Sequence, residues 1–163
     1  MFAPNFARQP AYPQLTVHRD SFRLRTGGYL EFMDITDSIR EIVSASPVAE
    51  GWVNVQTRHT TTGLVVNENE PLLLTDLRRT LERIASRERT YEHDDFSRRL
   101  GPLPANEPAN GHSHCKALFL PTALCVNVHE GALDLGRWQR LLLVELDGAR
   151  DRSVSVVVMG SAF

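Results

Sequence analysis

The chain has 163 residues, of which 42% are hydrophobic and 23% are charged, a composition typical of one folded domain and not of a disordered or coiled-coil protein. Its 18 basic and 20 acidic side chains give a net charge of −2, so no basic excess is available to neutralise a nucleic-acid backbone. The sequence lacks a secretory signal and a membrane-spanning apolar run, and Cys115 and Cys125 form no disulfide framework. We therefore expect a soluble, cytoplasmic protein with no nucleic-acid partner and no membrane partner.

The first half of the chain alternates between strand and helix patterns. Three prolines in residues 1–13 predict an extended N-terminal arm, and residues 14–163 are expected to form a single domain. Hydrophobic spacing then predicts strands over 14–26 and from 29, a helix through Ile35, Ile39, Ile42 and Val43 capped by Asp34 or Thr36, strands over 51–57 and 63–66, and a helix over 70–88.

The second half opens with residues 91–111, which contain three prolines and no periodicity and are therefore predicted to form a long ordered loop. Further strands are predicted over 116–120, 124–128, 138–146 and 153–159. Because strands and helices alternate without a regular βαβ repeat, the sequence predicts an α+β fold with a mainly antiparallel sheet packed with a few helices.

Four polar clusters interrupt the apolar pattern. The first contains His59, Thr60 and Thr61 before Gly63, and continues with Asn67 and Glu68. Hydroxyls and an imidazole beside a glycine can bind an anion together with exposed backbone N–H groups. A threonine-rich hairpin turn without a ligand is the alternative interpretation.

The second cluster is Tyr91 to Asp95, in which His93 precedes Asp94 and Asp95. An imidazole beside two carboxylates is a ligand mixture that divalent cations accept. Neighbouring carboxylates also raise the proton affinity of a histidine, which favours acid–base chemistry. A solvated acidic turn remains the alternative.

The third cluster runs from Asn110 to Lys116. In a strand, His112, His114 and Lys116 would project from one face, where two imidazoles can bind a metal and the ammonium can balance a phosphate. Cys115 would then point into apolar packing and be structural. A surface strand that carries histidines by chance is the competing interpretation.

The fourth cluster follows a strongly apolar strand and contains Glu145, Asp147 and Arg150. Gly148 permits a tight turn that can bring Arg150 beside the two carboxylates. Such an arrangement can hold a metal–phosphate ligand or can be purely structural.

Read in order, these segments resemble the YjbQ-like family, a family catalogued as uncharacterised. The segments that match are 34–37 (DITD), 59–64 (HTTTGL), 67–70 (NENE), 91–95 (YEHDD), 110–114 (NGHSH), 135–139 (LGRWQ) and 145–148 (ELDG). The similarity extends over about residues 15–160. Two positions depart from the family pattern: Ala149 stands where the family usually has proline, and Cys115 where it commonly has an aliphatic residue.

The resemblance implies a compact α+β subunit that forms a homotrimer, a metal- or anion-binding site with zinc or magnesium, and a small phosphorylated ligand. It also implies weak thiamine-phosphate synthase activity, in which a pyrimidine diphosphate and a thiazole phosphate are joined and pyrophosphate is released. The residues expected to act in catalysis are His59, His93, His114 and Glu145. Those expected to bind the substrate or anion are Thr60, Thr61, Asn67, Glu68, Asn110, Lys116, Asp147 and Arg150. The expected metal ligands are His93, Asp94, Asp95, His112 and His114.

Two other functions are compatible with the same residues. A metal-dependent hydrolase of a small phosphorylated or amide-type substrate could activate water on a bound metal. A non-catalytic trimeric protein could instead use the histidines to bind a structural ion or a ligand.

Overall fold

The computed structural model describes residues 14–162, so the predicted N-terminal arm lies outside the described residues. In chain order the elements are β1 (Thr16–Arg25), β2 (Glu31–Asp34), α1 (Thr36–Ala45), β3 (Val48–Thr57), β4 (Thr62–Asn67), α2 (Pro71–Ile84), a 3₁₀ turn (Glu92–Asp94), α3 (Gly111–Ala117), β5 (Ala123–His129), β6 (Ala132–Leu133), β7 (Arg140–Glu145) and β8 (Asp151–Ala162). The predicted α+β class is confirmed.

The strands form two sheets in which every described pair of neighbours is antiparallel. The larger sheet has the order β1-β8-β3-β5-β6, and the smaller sheet has the order β2-β7-β4. In β8 the buried residues alternate with half-buried ones, which is the period of a strand with one face in the core. The predicted mainly antiparallel arrangement is therefore confirmed.

Strand β7 is buried on both faces and positions the rest of the small sheet. Leu141 and Leu143 belong to the main core, where α1 and residues of both sheets pack together. Val144 belongs to a second core under α2, together with Leu146, which follows the strand. Because both faces are covered, the sequence of β7 is a continuous apolar run and does not alternate between apolar and polar residues.

Both long helices begin with a local hydrogen bond that the sequence can supply. The Asp34 carboxylate accepts the Thr36 backbone N–H at 2.9 Å, but the N-cap position of α1 is Ile35, so neither Asp34 nor Thr36 is the N-cap residue that the sequence predicted. The Glu70 carboxylate accepts the N–H groups of Leu72 and Leu73 at 2.9 and 2.7 Å, and Pro71 occupies the first turn of α2. Both hydrogen bonds lie where a helix follows a strand, and only the one at Glu70 is a side-chain N-cap.

The strands predicted over residues 112–120 are wrong. Residues 111–117 form helix α3, and turns follow it up to β5. The segment contains no β-branched residue, and its buried polar groups are satisfied as a helix: the Ser113 hydroxyl donates to the Leu146 carbonyl at 2.6 Å, and the Lys116 ammonium donates to the Ala85 carbonyl. The polar residues of this segment fit a strand period of two, but their contacts follow a helical period.

The longest helix in residues 14–162 is α2 with 14 residues, and none of the helices there could span a bilayer.

Candidate functional site

A polar pocket of about 300 Å³ lies where four separate segments of the chain meet. These segments are the β3–β4 connection, the turn between β7 and β8, the start of α3, and the long loop before α3. The residues that line the pocket are Thr60, Thr61, His93, Arg99, Glu107, Pro108, Asn110, His114, Asp147, Arg150 and Arg152. Seven of them were predicted from sequence as site residues, and the other four, Arg99, Glu107, Pro108 and Arg152, were not.

The β3–β4 connection reaches the pocket because His59 ties it to β8. The His59 Nε2 atom accepts the Ser153 backbone N–H at 2.8 Å, so it acts there as a neutral acceptor. Burial and the neighbouring Arg152 guanidinium lower the pKa of His59, which favours the same neutral form. His59 does not line the pocket. Its described contacts position Thr60 and Thr61, which do.

Arg152 is held at the pocket wall by a buried carboxylate. Its Nε lies 2.6 Å from Oε2 of Glu145, and its Nη2 lies 2.5 Å from Oε1 of Glu145 and 3.1 Å from the Thr61 hydroxyl. The Thr26 hydroxyl donates to Glu145 from behind at 2.9 Å. Among residues 14–162 the remaining nitrogen, Nη1, has no hydrogen-bond partner, although Arg152 lines the pocket and is 5% exposed. This geometry leaves the Nη1 group of a fixed guanidinium available to a ligand.

The Asp147 carboxylate accepts hydrogen bonds from two other side chains of the pocket. Its Oδ2 accepts the Arg150 Nε–H at 2.9 Å and the Asn110 amide at 3.1 Å. The predicted approach of Arg150 to the Asp147 carboxylate is thus observed. Gly148 is not among the residues with positive φ, and a Cβ there would meet nothing within 4 Å, so the turn does not require a glycine.

His93 and His114 form the imidazole side of the pocket. Their ring centroids lie 4.7 Å apart with an edge-to-face orientation. The 3₁₀ turn that carries His93 packs closely on α3: the Asp94 carboxylate accepts the Gly111 N–H at 2.8 Å, and a Cβ at Gly111 would lie 2.5 Å from the Tyr91 Cβ. Burial, and next the neighbouring His93, lower the pKa of His114, so this imidazole favours its neutral form.

The long loop contributes an ion pair across one side of the pocket. Arg99 Nη1 lies 2.8 Å from Glu107 Oε1, and both side chains are partly shielded from solvent. Each of the three pocket arginines therefore has one carboxylate partner: Glu107 for Arg99, Asp147 for Arg150 and Glu145 for Arg152. Three formal positive and three formal negative charges balance at the pocket. Within residues 14–162, the formal charges of these three ion pairs therefore cancel.

Lys116 and His112 do not reach the pocket, which corrects their predicted roles on one shared face with His114. Lys116 is fully buried, and its ammonium lies 3.6 Å from the Glu82 carboxylate and 5.2 Å from the centroid of the Tyr29 ring. His112 packs edge-on against Tyr29, with ring centroids 5.3 Å apart. Residues four apart share a face of a helix, so Lys116 and His112 point together into the protein while His114 points to the pocket.

Other predicted site residues are also placed elsewhere. Asn67 is at the opposite end of β4 from Thr62, roughly 17 Å away for a strand of this length. Glu68 lines a different groove, beside Trp138. The Asp95 carboxylate binds the Ser97 hydroxyl at 2.5 Å, and Cys115 is exposed rather than packed in apolar surroundings. These side chains are not among those that line the pocket.

The divalent metal implied by the resemblance does not fit the side chains of one chain. Within residues 14–162 no group of three or more His, Cys, Asp and Glu side chains is arranged to hold a metal ion. His93 and His114 offer two imidazoles, whereas Asp94 binds the Gly111 N–H, Asp95 binds Ser97, and His112 faces Tyr29. Protein zinc sites use at least three protein ligands. The predicted five-residue metal group is thus not assembled among the described side chains.

Of the four pocket residues that the sequence did not predict, one had a signal in the sequence and three had none. Arg152 has the same strand parity as Val154, Val156 and Val158, which are all buried, so its side chain had to enter the protein beside the β7 end. Arg99, Glu107 and Pro108 lie in an aperiodic loop, and no local pattern predicts where such a loop folds back.

Comparisons with known proteins agree with this fold. Residues 20–161 match the model of the family described as UPF0047 protein YjbQ-like. The chain is 33% identical over 146 residues to a UPF0047 protein of Methanothermobacter thermautotrophicus, covering 90% of this chain and 94% of the relative. It is 38% identical over 133 residues to a UPF0047 protein of Archaeoglobus fulgidus, covering 82% of this chain and 94% of the relative.

Two solved structures show the same architecture. The crystal structure of a YbjQ-like protein of unknown function from Sulfolobus solfataricus superposes with a TM-score of 0.81 at 30% identity, covering 91% of this chain and 100% of that chain. A hypothetical protein from Aeropyrum pernix gives a TM-score of 0.77 at 29% identity, covering 88% of this chain and 99% of that chain.

Proposed function

The chain belongs to the UPF0047 YjbQ-like family, and we propose that its polar pocket binds a small phosphorylated molecule and acts on it chemically. The observation that carries this proposal is the buried Arg152, held side-on by Glu145 with Nη1 left without a partner in the described residues. A guanidinium fixed in this way loses little side-chain entropy when an oxyanion binds. Arg99 and Arg150 add two more tethered guanidiniums around the same space.

The reaction implied by the family resemblance is a weak thiamine-phosphate synthesis. In that reaction the thiazole nitrogen forms a bond to the pyrimidine methylene carbon, the carbon–oxygen bond breaks, and pyrophosphate leaves with the electron pair. Arginines supply the stabilisation that this step needs, because negative charge develops on the leaving group. The pocket volume of about 300 Å³ is at the small end of known ligand sites, so two substrates would have to extend through its open side.

A specific observation favours a second candidate, hydrolysis of a single phosphorylated substrate. The synthase step requires no proton transfer at the nitrogen that attacks, yet the pocket presents an imidazole. His114 favours its neutral form, and its ring nitrogens have no hydrogen-bond partner among residues 14–162. As a general base it would take the proton of a water that forms the new bond to phosphorus, and return it to the alcohol that leaves.

Product analysis separates these reactions. Purified protein is incubated, with and without added zinc or magnesium, with the pyrimidine diphosphate and thiazole phosphate pair, or with simple phosphate monoesters. Thiamine phosphate together with pyrophosphate supports the synthase, and inorganic phosphate with free alcohol supports the hydrolase. Replacement of His114 by alanine should abolish hydrolysis but leave the synthase reaction nearly unchanged. If calorimetry detects no binding of any phosphate ester, the proposed function is wrong.

We also propose that the chain forms the homotrimer that the resemblance implies. An apolar groove of about 220 Å³ runs between α2 and the segment after α3, lined mainly by Phe32, Leu77, Leu81, Ile84, Phe119 and Leu120. Leu118 is 82% exposed beside it, which is costly for a large apolar side chain in water. Sedimentation analysis of the wild type and of Phe119→Lys tests this: the wild type should sediment as a trimer and the variant as a monomer.

The proposed location is the cytoplasm. Both cysteines are free and exposed thiols, and such thiols persist in a reducing compartment.

A further inference from the structure

The pocket offers hydrogen-bond acceptors as well as arginines, and this restricts which phosphorylated molecules it can take. Asp147 accepts two hydrogen bonds at Oδ2, but its Oδ1 has no partner among residues 14–162. Asp147 lines the pocket and is mostly buried, so a ligand in the pocket can contact its carboxylate. A bare phosphate could not satisfy it, because phosphate oxygens at neutral pH mainly accept hydrogen bonds.

Asn110 adds a second acceptor in the same wall. Its side-chain nitrogen donates to Asp147, which fixes the amide orientation, because the opposite orientation would place two oxygens against each other. Oδ1 of Asn110 is buried and has no hydrogen-bond partner in the described chain, although the residue lines the pocket. A buried acceptor without a donor is rare and unfavourable, so a donor from a ligand would stabilise the site.

Charge balance gives an independent reason. The three pocket arginines are already compensated by Glu107, Glu145 and Asp147. A ligand that carried only negative charge would leave a net negative charge in a partly enclosed site. A ligand that carries a positive or strongly donating group beside its phosphate would keep the balance, with the phosphate at Arg152 and the donor at Asp147 and Asn110.

From these contacts we infer that the ligand class of this pocket is a phosphorylated amine, meaning a small molecule with a phosphate and an N–H donor group a few bonds apart. The inference rests on the proposed function, because it assumes that the arginines bind the phosphate. The inference adds that Asp147 Oδ1 and Asn110 Oδ1 bind the N–H donor group of the ligand.

Three simple phosphate esters test the inference by calorimetry with the full chain. The buffer contains a chelator, so that metal ions do not bridge ligand and protein. Phosphoethanolamine carries the amine, ethyl phosphate lacks it, and phosphocholine keeps the positive charge without any N–H. We expect phosphoethanolamine to bind about tenfold or more tightly than either of the others. A site that attracts phosphate by charge alone would instead favour ethyl phosphate, which has the greater net negative charge.

The variants Asn110→Ala and Asn106→Ala identify the acceptor. Asn106 is exposed in the same loop and does not line the pocket, so its replacement serves as the matched control. We expect Asn110→Ala to reduce the preference for phosphoethanolamine to about threefold or less and Asn106→Ala to leave it unchanged. Thermal unfolding of each variant verifies that it is folded.

The outcomes separate this inference from the proposed function. If ethyl phosphate or phosphocholine binds the wild type as tightly as phosphoethanolamine, the phosphorylated-amine class is wrong, while phosphate binding stands. If none of the three esters binds, both the inference and the proposed function are wrong.

Discussion

Glu145 and Arg152 form a two-point ion pair inside the protein, with Nε 2.6 Å from Oε2 and Nη2 2.5 Å from Oε1. The two side chains come from the end of β7 and the start of β8, which belong to different sheets. The pair therefore joins the two sheets at the pocket and fixes the guanidinium that we expect to contact the ligand.

Replacement of Glu145 by glutamine should destabilise the protein by about 3–5 kcal/mol, because it leaves the buried Arg152 without a compensating charge. Asp151→Asn is the matched control, since Asp151 pairs with Arg25 at an exposed position. The control should shift the unfolding midpoint very little. Urea unfolding gives the free energy of unfolding of both variants. Equal losses of stability would contradict the difference in burial between the two ion pairs.

Arg99→Ala should weaken binding of a phosphate ester about tenfold and leave stability nearly unchanged, because Arg99 lines the pocket and its ion pair with Glu107 is partly exposed. Its neighbour Arg98 pairs with Glu92 and does not line the pocket. Calorimetry should therefore show a loss of affinity for the phosphate ester in Arg99→Ala but not in Arg98→Ala. A similar loss of affinity in both variants would mean that general surface charge, rather than the pocket, attracts the ester.

Lys116→Met should destabilise the protein by about 1–3 kcal/mol but should not reduce affinity for phosphate esters. The variant leaves the Ala85 carbonyl without its donor, and the ammonium lies outside the pocket. Urea unfolding and calorimetry provide the two measurements. The prediction fails if the variant loses ligand affinity while its stability is unchanged, since that result would restore Lys116 to the binding site.

Gly111→Ala should destabilise the protein by about 1–3 kcal/mol and weaken ligand binding, because the added Cβ would lie 2.5 Å from the Tyr91 Cβ and would separate α3 from the turn that carries His93. Gly148→Ala is the control, since a Cβ there meets nothing within 4 Å. Thermal unfolding and calorimetry should show a loss for Gly111→Ala only. A neutral Gly111→Ala would contradict the close packing of α3 on Tyr91.

Stability should fall as the pH drops below about 6.5, the unfolded pKa of histidine. Burial lowers the pKa values of His59, His112 and His114 in the folded chain. A lowered pKa means that the unfolded chain binds more protons, so the free energy of unfolding rises with pH between the folded pKa and 6.5. Urea unfolding between pH 5 and pH 8, in steps of about half a unit, measures this dependence.

Two variants identify which histidines cause the pH dependence of stability. His59→Gln should flatten it, because the amide oxygen can still accept the Ser153 N–H but cannot become protonated in this range. The contribution of His129 to the pH dependence of stability has the opposite sign, because a hydrogen bond to Glu50 raises its pKa. Its stabilising contribution is present below pH 6.5 and is lost as the pH rises through the raised pKa. His129→Gln should therefore remove a decrease in stability above pH 6.5 and leave the fall below pH 6.5 unchanged, and a flatter fall below pH 6.5 in this variant would contradict the assignment.

Much of the fold could be predicted from the sequence. Alternation in β1 and β8, the helical spacing of Ile35, Ile39 and Val43, and the absence of a βαβ repeat were enough for an α+β protein with antiparallel sheets. The error in residues 112–120 arose because a short polar segment has histidines compatible with either period. Contacts distant in sequence, such as Lys116 to Ala85 and Ser113 to Leu146, decide its conformation.

Local chemistry along the chain determined which residue types this protein can bring to a site: the threonines after His59, the histidines of two segments, and the acid and arginine groups around Gly148. Only the tertiary structure decided which of them meet. It turned His114 towards the pocket and Lys116 away from it, and brought Arg99 and Arg152 into the same wall. The physical reason is that periodicity reports the direction of a side chain relative to its own element, whereas a pocket is formed by the packing of several elements against one another.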